Sequence, residues 1–97
     1  MTKAEIILQQ MGGRKFIAMT GANNFVSTEN SLKFYFKMNN TMNLCKIELN
    51  LWDLYDMTFY KYSRKNLEAK EVKKETDVYN DQLQNVFTSI TGLNTHL

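Results

Sequence analysis

The sequence predicts an α+β protein: a two-layer sandwich with a mostly antiparallel sheet of four or five strands. An N-terminal and a C-terminal helix pack on one face, in the order α-β-β-β-β-(β)-α. Three observations carry that prediction. The middle of the chain, Ser31–Ser63, alternates apolar and polar side chains with a period of two and is broken by Asn-rich and Asp-rich stretches, the pattern of half-buried antiparallel strands. Ala4, Ile7, Leu8 and Met11 near the start, and Tyr79, Leu83, Val86, Phe87 and Ile90 near the end, recur with helical spacing. Ninety-seven residues, 43% hydrophobic and 23% charged, fit a single domain with one core over 1–97 and a loose tail from about residue 93.

Each element has its own signal. Thr2-Lys-Ala-Glu5 reads as a capping box, in which Thr2 accepts from the amide of Glu5 and Glu5 reaches back. The helix it opens spans 3–11 and ends at Gly12-Gly13, since glycine takes the left-handed conformation without steric cost. Phe16–Thr20 reads as a strand, Gly21–Asn24 as its turn and Phe25-Val26 as a short continuation. In the strand 31–38, Leu32, Phe34, Phe36 and Met38 alternate with Lys33, Tyr35 and Lys37. Asn39–Asn43 is a hairpin connection to the strand 43–51, where Cys45, Ile47, Leu49 and Leu51 alternate with Lys46, Glu48 and Asn50. Asp53–Asp56 reads as a turn. A further strand, 57–63, sets Met57 and Phe59 against Tyr60 and Tyr62.

After the turn Arg64–Asn66, the charged stretch 67–75 suits either a helical lead-in or an edge strand guarded by lysines, and the edge strand is preferred. Asp77 is expected to cap the last helix and Gly92 to stop it. There is no proline, no internal repeat and no low-complexity linker.

Residues able to carry chemistry are few. His96 is the only histidine and stands at the frayed end, a poor place to hold a general base. No Cys/His cluster has metal-ligand spacing. Cys45 has no second cysteine to pair with and reads as a buried structural thiol, which fits a reducing compartment. Asp53, Asp56 and Glu48 offer oxygens to a divalent cation, but both aspartates read first as binding amides within their turn. Gly12-Gly13 before Arg14-Lys15 follows a helix instead of opening one, so it is a helix stop and not a phosphate loop. The longest early apolar run, Ile6–Leu8, is far short of a secretory core or a membrane span. No cofactor is implied, and the expected location is the cytoplasm.

Two surfaces remain as candidates. Lys33, Tyr35, Lys37 and Lys46, joined by Tyr60 and Tyr62, interleave aromatic and basic residues on the solvent face of the sheet, a combination that stacks bases and neutralises phosphates. The net charge is only +2 and Glu48 intrudes, so an ordinary solvated face is the simpler reading. Trp52 ends a strand and reads first as core; exposed together with Tyr55, it would anchor a protein contact.

Ile7-Leu-Gln-Gln-Met-Gly-Gly13, then Lys15-Phe-Ile-Ala-Met-Thr-Gly-Ala22 with Asn24-Phe-Val26, resembles a family of small proteins encoded in bacteriophages and other bacterial mobile elements. Val78-Tyr-Asn-Asp-Gln-Leu83, Val86-Phe-Thr88 and Thr91-Gly-Leu-Asn-Thr95 are similar as well. The chain departs from that pattern at Arg14, where asparagine is common, and in the more charged Lys70–Glu75 stretch. The resemblance implies a bacterial host cell and a compact fold, without a reaction. The functional expectation is therefore a non-enzymatic module that binds a protein, inhibition of a host system being one such role. The alternative is a nucleic-acid-binding domain using the basic, aromatic face. Self-association through an edge strand stays open.

Overall fold

Five strands run as an antiparallel meander in chain order: β1 (Asn23–Ser27), β2 (Ser31–Tyr35), β3 (Leu44–Leu49), β4 (Tyr55–Ser63) and β5 (Glu68–Val78). Helices α1 (Lys3–Met11), α2 (Gly13–Thr20) and α3 (Leu83–Thr91) form the second layer, α3 being led in by a 3-10 turn at Asn80–Gln82. The computed structural model describes residues 3–36, 42–63 and 65–93. Thr2 of the expected capping box, Lys37, Met38, Asn39–Thr41 of the expected hairpin, Arg64 and His96 lie outside the described residues.

The alternation in the sequence becomes the two faces of the sheet. Leu32 pairs with Ile47 and Ile47 with Met57; Phe34 pairs with Cys45 and Cys45 with Phe59. All six are buried, and they form the floor on which the helices settle. Ile7 and Met11 of α1, Phe16 of α2, and Leu83 and Phe87 of α3 are fully buried above them. Phe87 is the centre of this packing. Its ring centroid lies 5.4 Å from Phe16, 5.2 Å from Phe36, 6.2 Å from Phe34 and 6.1 Å from Phe59, in edge-on and tilted arrangements that suit aromatic quadrupoles.

The segment expected as a strand, Phe16–Thr20, is helical, and its helix starts at Gly13, so Gly12-Gly13 ends α1 as expected but also opens a second helix. Phe16 and Thr20, four residues apart, are the buried positions of α2, whereas a strand would have buried every second residue. The Thr20 hydroxyl donates to the Phe16 carbonyl (2.7 Å), and Gly21, at φ 70°, donates its amide to the Ile17 carbonyl. The same ending recurs in α3. Thr91 donates to the Phe87 carbonyl at 2.7 Å, and Gly92, at φ 77°, donates to Thr88. Phe-x-x-x-Thr-Gly thus closes both helices, and their phenylalanines meet edge to face.

The last helix differs at its start. Asp77 is no cap: it stands in β5 at φ 55°, where its amide donates to Asp56 Oδ1 and its own Oδ1 accepts from Asn50. Tyr79, expected on the apolar face, is 63% exposed, because the chain does not turn helical until it has left the sheet. The preferred edge strand over 67–75 is present, and longer than expected, as β5.

Candidate functional site

The turn from β3 to β4 carries two adjacent, strongly exposed apolar side chains. Leu51 is 100% and Trp52 78% exposed. The sequence places both in or beside the core, and the reason it errs is Asn50. Its backbone closes the loop, accepting from the Asp53 amide (3.2 Å) and donating to the Leu54 carbonyl (2.8 Å). Its side-chain oxygen accepts from the amides of Trp52 (2.8 Å) and Leu54 (3.2 Å). Its side-chain nitrogen donates to Asp56 (3.1 Å) and Asp77 (2.8 Å), tying the turn to β4 and β5. Alternation therefore stops at Leu49, and Leu51-Trp52 become the tip of a braced turn with Asp53 in the left-handed region at φ 59°. The signal in the sequence was Asn50 followed three residues later by Asp53, turn-forming residues on either side of the apolar pair.

Tyr55 does not join Trp52 at the surface. It is 7% exposed, on the core side of β4 with Met57 and Phe59. Burial raises its phenol pKa, partly offset by the Gln10 side chain beside it. Tyr79 reaches the tip's end of the sheet instead, since it follows Val78, which pairs with Tyr55. Asp56 is occupied by Asn50 and by the Asp77 amide, and no group of three or more His, Cys, Asp or Glu side chains among the described residues is placed to hold a metal ion. Cys45 is fully buried, which pushes its thiol well up.

The structure does bring together the open-face residues. Lys33 stands opposite Lys46, Lys46 opposite Thr58, and Thr58 opposite Lys74, so three lysines line one row across four strands. Lys74 was not foreseen in this row, because its place depends on the register of β5. Tyr35 and Tyr60 flank Leu44 in the next row, and Tyr35 meets Tyr62 edge to face at 5.6 Å. Leu44 is buried on this otherwise polar face, so the tyrosines also act as its cover. Lys46 lies 3.9 Å from Glu48. Lys37 lies outside the described residues. At the edge of this face, Asn23, Tyr35, Phe36, Asn43 and Tyr62 line a shallow cleft of about 720 Å³. Asn43 is already committed there, donating to the Tyr62 carbonyl and accepting from its amide.

Comparison with protein-family models, with curated proteins and with solved structures returned no match. No helix among the described residues is long and apolar enough to cross a membrane.

Proposed function

We propose that the chain is a non-enzymatic binding module that engages a protein through the Leu51–Trp52 tip. The resemblance to bacteriophage and mobile-element proteins makes a host protein the expected partner, its inhibition being one outcome of binding. The observation that carries this reading is the bracing of the turn that bears an exposed apolar pair. A fully exposed Leu51 and a largely exposed Trp52 add little to the fold, yet Asn50 uses both ends of its amide to fix the turn that presents them. A pre-ordered aromatic anchor loses little entropy on binding, which is the character of an interface hot spot.

The test is capture from host lysate with the wild-type chain and with a Leu51→Ser/Trp52→Ala variant side by side. A partner retained by the first and lost by the second is the expected result. Identical retained sets would overturn the assignment to the tip.

A second reading rests on the lysine row beside Tyr35, Tyr60 and Tyr62, an arrangement suited to a single strand of nucleic acid. Phosphate contacts strengthen as salt falls. A gel-shift titration at low ionic strength, with Lys33→Glu/Lys46→Glu as control, therefore decides it. No shift at low salt removes this reading.

A further inference from the structure

We propose that two copies of the chain associate through β5, strand against strand, in one register selected by charge. β5 is an outer strand, the longest of the five, and most of its residues are exposed. Consider a two-fold axis normal to the sheet, passing between Val72 and Lys73. It sets Glu71 opposite the second copy's Lys74, and Lys70 opposite the second copy's Glu75. Symmetry repeats both, giving four opposite-charge pairs in a short antiparallel ladder. Such pairs stabilise neighbouring strands, whereas like charges in the same positions oppose pairing.

In a regular strand this register would fail. Glu71 and Lys74 are separated by an odd number of positions, as are Lys70 and Glu75, so their side chains would point to opposite faces. A bulge removes the obstacle. Phe59 pairs with Lys73 and Tyr60 with Glu71, leaving Val72 as one extra residue. Glu71 and Lys74 then share the open face, opposite Tyr60 and Thr58. Lys70, Lys73 and Glu75 share the helix face, opposite Lys61, Phe59 and Met57.

Val72 is on that face too. With Met42 it lines a groove of about 570 Å³ against Val86 and Ile90 of α3. The axis would bring the two Val72 side chains, each 45% exposed, together beside this groove. Glu75 already lies 3.8 Å from Lys73, and the second copy's Lys70 would complete a Lys–Glu–Lys bridge. Past the ladder, Glu68 and Asp77 are like charges. Asp77 is drawn back there by a second irregularity and by its bond to Asn50.

Lysines on an edge usually repel foreign strands. Here Lys70 and Lys74 each find a carboxylate across the axis, while Lys73, opposite the second copy's Val72, keeps Glu75 of its own strand, and this is how charge selects a partner. The contact is isologous and closes at two copies. It does not involve the Leu51–Trp52 tip.

Sedimentation velocity over a wide concentration range tests the proposal. The wild type is expected to form a reversible dimer. Glu71→Lys and Lys74→Glu should each weaken association at least tenfold, since each creates two like-charge pairs. An equimolar mixture of the two variants should recover a heterodimer, because every contact is again between opposite charges. Lys70→Glu and Glu75→Lys form an independent second set and decide the matter if a variant of the first fails to fold by circular dichroism. A wild type that stays monomeric, a dimer indifferent to the single reversals, or mixtures that stay monomeric would each overturn the proposal.

Discussion

Phe87 touches four other aromatic rings and has no exposure, so its removal opens a void that the neighbours cannot close. Phe87→Ala is expected to cost about 3–5 kcal/mol, measured by urea unfolding. Cys45 and Tyr55 contribute to the response to alkali. Burial raises both pKa values, so the folded state keeps protons that the unfolded state releases. The stability they contribute is intact below the unfolded values and falls as pH rises past about 8.5–10. Urea midpoints should therefore decline through that window, and a Cys45→Ala variant should decline less. The inward side chains of β2 and β3 were legible because burial on one face imposes a period of two. Leu51 was not, because Asn50 ends the strand by a side-chain bond that periodicity does not register.

At the level of elements, the tip depends on one asparagine. Asn50→Ala removes acceptors from two amides and a donor from two carboxylates, and should destabilise by about 1–3 kcal/mol. It should also weaken partner retention, although Leu51 and Trp52 remain in place; unchanged retention would show that bracing is irrelevant to binding. Gly92→Ala meets no atom within 4 Å, so its cost is the left-handed backbone alone, about 1–2 kcal/mol by thermal melting. The α2 helix was the element least readable in the sequence. Phe-Ile-Ala-Met-Thr has strand-like composition, and only its likeness to Phe87–Thr91, ending alike in Thr-Gly, pointed to a helix. The edge strand was readable from its lysines, but its two irregularities were not, since a bulge is defined by the strand beside it.

At the scale of the whole molecule, the layer arrangement followed from patterns that any sheet with one covered face must obey. The makeup of the candidate surface did not follow, because exposure of Trp52 and burial of Tyr55 depend on where a turn begins. The tip is separate from the core, so Leu51→Ser/Trp52→Ala should leave stability within about 0.5 kcal/mol of the wild type, read by circular dichroism. The placement of the tryptophan has a practical corollary in spectroscopy. It is the only one in the chain and is largely solvated in the native state. Its emission should lie near the wavelength of free indole in water before any denaturant is added and shift little on unfolding. A partner that covers the tip should move it to the blue. The chain therefore carries a built-in optical probe that should be nearly silent to its own denaturation and would report on occupancy of the proposed tip.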